Sequence, residues 1–132
     1  MAAGGVVIAS VALMTISKVY AAISTKDLER AQQWYSRLFG RPSDLHPMAE
    51  VYEWHFGTGG VQLVADAKRA GSSMVTLLVG NLESSRSALQ SRGLSLGPAS
   101  GGDFATIAQI SDPDGNQITL AQPGPAQAEA PV

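Results

Sequence analysis

The sequence predicts an α+β protein of two tandem βαβββ modules that form a cupped mixed sheet around a cleft. Three observations carry that prediction. Asp27-Leu28-Glu29 and Asn81-Leu82-Glu83 read as two matching helix starts, 54 residues apart, each with a side-chain cap and an acid in the first turn. Each follows a short apolar run, and each leads into a helical pattern that stops at a glycine, Gly40 and Gly93. Finally, Val61-Gln62-Leu63 matches Ile118-Thr119-Leu120 at an offset of 57 residues, close to the spacing of the caps.

Taken in order, residues 19–25 are apolar and partly β-branched and read as the first strand. Leu28, Ala31, Tyr35, Leu38 and Phe39 recur at helical spacing, and Gly40 with Pro42 ends that helix. Residues 43–50 make a weak, loop-like strand, and residues 51–56 a clearer one rich in aromatics. Gly57-Thr58-Gly59-Gly60 turns the chain into a strand over residues 61–65. Residues 68–72 are a polar linker. The pattern then restarts with a strand at 74–79, a helix through Ala88 and Leu89, a weak strand at 94–100 and another from Phe104 to Ser111. Asp112-Pro113-Asp114-Gly115-Asn116 follows, with Asp, Pro and Gly at the first, second and fourth positions of a type I turn. Residues 117–122 close the second module.

The chain has 132 residues, 45% of them hydrophobic and 15% charged, in the range of a folded globular protein rather than a disordered one. Nine basic and eleven acidic residues leave a net charge of −2, and no Lys/Arg cluster supplies the phosphate neutralisation that nucleic-acid binding needs. With no cysteine there is no disulfide, thiolate metal site or thiol nucleophile. Residues 1–16 read as a non-essential N-terminal extension. Their apolar run lacks a positive leading region and is too short to span a bilayer, so no membrane role and a cytoplasmic location are expected. The expected organisation is a domain over 17–122, with module one at 17–66 and module two at 73–122, then a flexible Pro/Ala-rich tail at 123–132.

Asp27-Leu28-Glu29-Arg30-Ala31 through Trp34-Tyr35 and Leu38-Phe39-Gly40, together with Asp112-Pro113-Asp114-Gly115-Asn116, resemble the vicinal oxygen chelate superfamily. This is the glyoxalase, bleomycin-resistance and extradiol-dioxygenase group, and the resemblance runs roughly over residues 17–122. It implies the paired-module fold but not an activity, because such folds host both enzymes and plain binding proteins. It also implies a homodimer.

Enzymes of that group hold one divalent ion with four side chains, usually His, Glu or Gln. Carried over to this chain, the resemblance places the four positions at Tyr20, Gln62, Met74 and Thr119. A divalent ion needs neutral imidazole and anionic carboxylate to replace its water shell. A phenol, an amide, a thioether and a hydroxyl bring no charge. The expectation is therefore no metal, no other cofactor and no catalytic residue.

His46 lies in a loop-like segment and is expected to face solvent. If Thr58-Gly59 is the two-residue turn, His55 faces Gln62 and Glu53 faces Val64, which gathers Glu53, His55 and Gln62 on the cleft face. A loop changed by one residue instead turns Tyr52, Trp54 and Phe56 inward. Strand alternation from Tyr20 and Met74 adds Ala22, Ser24, Thr76 and Leu78 to the inner face. The opposite parity (Val19, Ala21, Ile23; Val75, Leu77, Val79; Ile118, Leu120) packs beneath the helices. The expected ligand-binding residues are Tyr20, Trp54, His55, Gln62, Met74, Thr76 and Thr119. A concave surface of this composition suits a small, largely neutral organic ligand. The reading is a metal-free small-molecule-binding protein that sequesters its ligand. The alternative is a metal-dependent glyoxalase- or dioxygenase-like enzyme with a displaced site on His55, Glu53 and Gln62. No Gly-x-Ser-x-Gly elbow or phosphate loop supports other chemistry.

Overall fold

In a computed structural model the described residues are 14–125; residues 1–13 of the expected extension and 126–132 of the expected tail lie outside them. Module one consists of β1 (Tyr20–Thr25), α1 (Leu28–Phe39), β2 (Leu45–Met48), β3 (Val51–Phe56) and β4 (Gly59–Ala65). Module two repeats it as β5 (Met74–Leu78), α2 (Leu82–Ser91), β6 (Ser100–Gly101), β7 (Ala105–Ser111) and β8 (Gln117–Pro123). Each module builds its own four-stranded mixed sheet, in the orders β1-β4-β3-β2 and β5-β8-β7-β6. The outer pairs β1–β4 and β5–β8 run parallel and the others antiparallel. Ala22 pairs with Gln62 and Thr76 with Thr119, so the repeat in the sequence is also a repeat of register.

Both helices start where a short polar side chain can replace the missing backbone acceptor. Asp27 accepts from the Arg30 amide and Asn81 from the Ser84 amide. Helix α1 stops at Gly40, whose φ of 74° places it in the left-handed region while its N–H returns to the Ser36 carbonyl. Its apolar stripe of Ala31, Trp34, Tyr35 and Leu38 covers Ile23, Trp54, Val61 and Leu63 of the first sheet, and all are buried. Leu82 and Leu89 of α2 join the same core with Val75, Ala108, Ile118 and Leu120 of the second. Alternation along the strands therefore sends the apolar parity under the helices and leaves the other face free.

The weak strand expected at 94–100 is replaced by an extended loop in which Leu94 and Leu96 are buried and only Ser100–Gly101 pairs with β7. The Gly97 amide already reaches the Gln109 carbonyl of β7 at 2.8 Å, but Pro98 has no N–H to continue a ladder, so the paired strand forms only beyond it. Val19, expected beneath a helix, lies outside β1 and is 72% exposed.

The aspartate turn does more than join β7 to β8. The Gly115 amide closes the type I turn onto the Asp112 carbonyl at 3.0 Å, as its residue types predict. The side chains then fasten module two to module one. Tyr35 of α1 donates its hydroxyl to Asp112, the Thr25 hydroxyl donates to Asp114, and the Lys26 amide reaches Asp114 Oδ1 at 3.0 Å. Asn116, fully buried, donates through Nδ2 to the Ser24 carbonyl and to Asp112 Oδ2, both at 2.8 Å. Its Oδ1 accepts from the Gly71 and Ser73 amides at 2.9 and 2.8 Å. Burial, then the bond to Asp112, push the Tyr35 phenol far above its ordinary range and keep it a permanent donor.

Candidate ligand-binding face

The β3–β4 register decides which side chains meet on the free face of the first sheet. Phe56 pairs with Gly59, His55 with Gly60 and Glu53 with Gln62, so the two turn residues are Gly57 and Thr58, not Thr58 and Gly59. Gly57 has a φ of 57° and, among the described residues, no non-glycine residue has a positive φ, the pattern of a type II′ turn with glycine in its first central position. Each β3 residue thus faces a partner two positions nearer the turn than expected. A slip of two conserves parity, so Glu53, His55 and Gln62 still share one face.

On that face they form a connected group. Gln62 Nε2 donates to Glu53 Oε2 at 2.7 Å, and His55 Nε2 lies 3.0 Å from Glu53 Oε1. The Tyr20 hydroxyl stands 3.5 Å from the same His55 nitrogen, with the two rings edge to face and centroids 5.8 Å apart. The His55 backbone is pinned as well. Its N–H donates to Asp44 Oδ2 at 2.6 Å and its carbonyl accepts from Arg41 Nη2 at 2.6 Å, while Arg41 and Asp44 pair with each other. Glu53 is buried, and its two hydrogen-bond donors, His55 first and then Gln62, hold its carboxyl below the usual carboxylate range against the opposing effect of burial.

This arrangement sets which valences face outward. Gln62 spends one amide N–H on Glu53 and keeps Oε1 as an acceptor and its second N–H as a donor. His55 gives Nε2 to Glu53, which leaves Nδ1 for a ligand. The face therefore offers both donors and acceptors beside the Tyr20 ring, with a carboxylate behind them. The bonds that hold Glu53 also set a pH dependence. Because its folded pKa is depressed, the stability it contributes is present at neutral pH and is lost as pH falls from about 4.5, its ordinary value, through the lowered one. Comparing the urea midpoints of wild type and Glu53→Gln should show a gap at pH 7 that narrows toward pH 3. A gap independent of pH would show that the carboxylate charge is not what those bonds stabilise.

On the second sheet, Met74 is 77% exposed, Thr76 is exposed and Thr119 is half-buried. Thr119 Oγ accepts from Gln109 Nε2 at 3.1 Å, and Gln109 Oε1 accepts from Gln117 Nε2 at 3.1 Å. Gln109 and Gln117 were not expected here. Strand parity could have found Gln117, which precedes Thr119 by two, and Gln109 sits directly opposite Thr119.

Trp54 is a correction. It is fully buried, with its ring centroid 5.4 Å from Phe39 and 6.3 Å from Tyr35, and its Nε1 donates to the Arg41 carbonyl at 3.1 Å. With Glu53 and His55 on the free face, the residue between them must point under α1. It cannot line the ligand face. His46 is exposed as expected, and stacks on Tyr52 with centroids 4.0 Å apart.

The metal position implied by the resemblance does not fit a divalent ion. Tyr20 and Gln62 belong to one sheet, Met74 and Thr119 to the other, and none is an imidazole or a carboxylate. Among the described residues no three His, Cys, Asp or Glu side chains cluster as metal ligands. The same residues contain no helix long and apolar enough to cross a membrane.

No protein-family model and no curated protein sequence matches the chain. Solved structures do. The chain is similar to a glyoxalase/bleomycin resistance protein from Catenulispora acidiphila DSM 44928, with a TM-score of 0.75 and 23% identity over 81% of this chain and 98% of that one. It is similar to TnmS3, an antibiotic binding protein from Streptomyces sp. CB03234, with a TM-score of 0.68 and 23% identity over 85% and 100% of the two chains. A bleomycin-binding protein solved in complex with bleomycin matches with a TM-score of 0.64 and 17% identity over 83% and 98%. The chain shares the fold of these three proteins.

Proposed function

We propose that this chain, carrying the glyoxalase/bleomycin-resistance fold, binds a small organic ligand on the free face of its first sheet and sequesters it without a metal ion or a chemical step. The observation that carries this reading is the Tyr20–His55–Glu53–Gln62 group. It joins an aromatic surface to hydrogen-bonding groups backed by a negative charge. Such a surface favours a ligand with an aromatic ring and hydrogen-bond donors, an amide or an amine. Met74, Thr76 and Thr119 supply a second wall from module two. A homodimer in the cytoplasm, in which a second copy closes the open faces, completes the proposal. Neighbours in fold that bind bleomycin and another antibiotic support the ligand class.

A second reading has one observation in its favour: Glu53, His55 and Gln62 do meet on one face. A displaced metal site there would make the chain a glyoxalase- or dioxygenase-like enzyme. The two are separated by a thermal-shift screen with bleomycin and simple aromatic amines, run in chelator and again with added Ni, Mn, Zn or Fe(II). Ligand at about one hundred times its Kd stabilises the folded state by roughly 2.7 kcal/mol, an easily read rise in midpoint. The proposal expects that rise in chelator, and about tenfold weaker binding in Tyr20→Ala, the loss of one aromatic contact with its buried area. A rise that requires the added ion would favour the enzyme. Unchanged affinity in Tyr20→Ala would move the ligand elsewhere.

A further inference from the structure

A cavity of about 420 Å³ opens where module one meets module two, mainly beneath the helices, and Thr76 and Leu78 of the other strand parity border its edge. This volume lies inside the roughly 300–1,000 Å³ range of small-molecule pockets. Its wall is apolar, built by Phe39 at the end of α1, Val61 of β4, Leu77 of β5, Leu120 of β8 and Ala88 of α2. Phe56 and Leu78 also line it and are 41% and 65% exposed, so apolar surface continues out to solvent. None of the Tyr20–His55–Glu53–Gln62 group lines it.

One full charge lines this wall, Arg92. Its guanidinium is held in place by two backbone acceptors, donating from Nε to the Arg37 carbonyl and from Nη2 to the Leu38 carbonyl at 3.1 Å. Those bonds cap the C-terminal end of α1 and fix the fork without using all of its five N–H donors. The ion pairs among the described residues do not include Arg92, in contrast to Arg41, Arg69 and Arg86. A half-buried, immobilised guanidinium with spare donors beside an apolar hollow is complementary to a carboxylate on an apolar body.

We propose that this cavity is a second ligand site, which takes an apolar carboxylate of medium chain length with its tail against Phe39, Val61 and Leu120 and its anion on Arg92. The site is independent of the free face of the first sheet, and the two can be tested apart. The probes are decanoate, decanol and decylamine, which share a tail and differ in head-group charge. Calorimetric titration of the wild type should rank decanoate at least tenfold above decanol, with decylamine weakest. Arg92→Gln should bring decanoate down to the level of decanol. Ala88→Phe, which fills the cavity, should abolish binding of both, whereas Tyr20→Ala should leave decanoate unchanged. If Ala88→Phe does not fold, Leu78→Glu at the exposed mouth keeps the test, since a like charge there should weaken decanoate at least tenfold. Equal affinity for decanoate and decanol in the wild type overturns the assignment. So does decanoate binding that survives Ala88→Phe or Leu78→Glu, or the absence of binding by all three probes. A change in sedimenting mass in Leu78→Glu without any decanoate binding would instead make this face a contact between copies of the chain.

Discussion

Asn116→Ala should destabilise the protein by about 3–5 kcal/mol, the largest loss expected from a single polar substitution in this chain. The side chain is fully buried and engages four partners: the Ser24 carbonyl, Asp112 Oδ2 and the Gly71 and Ser73 amides. Alanine leaves all four without the amide that joins them. Each stranded buried group costs about 1–3 kcal/mol, and the total stays below the simple sum because the linker at Gly71 can relax. Since domains of this size are stable by only about 5–15 kcal/mol, a loss of 3–5 is a large share of the whole. Urea denaturation should show a lower midpoint with an unchanged slope. Asn116→Asp sharpens the test. It keeps the shape and the acceptor for Gly71 and Ser73, but sets a carboxylate against Asp112 Oδ2 and the Ser24 carbonyl. It should be as damaging at pH 7 and partly recover at low pH, where a protonated carboxyl again donates. A loss below about 1 kcal/mol in Asn116→Ala would mean that the modules are held together elsewhere.

Trp54→Ala is expected to cost a similar amount, about 3–5 kcal/mol, for a different reason. This indole is fully buried between the first sheet and α1, in contact with Phe39 and Tyr35, and its N–H is satisfied by the Arg41 carbonyl. Truncation opens a cavity under α1 and strands that carbonyl. Trp54→Phe retains much of the volume and should lose far less. Because Trp54 points away from the free face, ligand affinity measured on folded Trp54→Phe should match the wild type, while Tyr20→Ala should not. A Trp54→Phe variant of normal stability that no longer binds ligand would return this residue to the site.

The corrections in the site trace to register and to what the helices cover. Tyr20, Gln62, Met74 and Thr119 fall on the parity that sequence alternation gives them, because the period of a strand is two whatever its partner. Trp54 is different. Its side was undecided because a loop changed by one residue would turn Tyr52, Trp54 and Phe56 inward, whereas the observed two-residue turn keeps Trp54 on the face opposite Glu53 and His55. Asp112 and Asp114 show the opposite limit. Their turn was plain from Asp-Pro-Asp-Gly, but their grip on Tyr35, Thr25 and Lys26 joins residues 77 to 89 positions apart, a distance over which no local pattern speaks. Gln117 follows from the parity of Thr119 on the same strand, whereas Gln109 carries no signal until its cross-strand neighbour is known.

Local chemistry in the chain determined the two modules, their caps and stops, the apolar faces under the helices, and the absence of imidazole and carboxylate from the expected metal positions. These follow from backbone sterics, capping and burial, which act within a turn or along one strand. Only the tertiary structure decided that the aspartate turn clasps one module to the other, that Trp54 belongs to the core, and that a cavity beside Arg92 opens on the helix side. Those outcomes rest on contacts between residues far apart in sequence, whose geometry exists only once both sheets have packed.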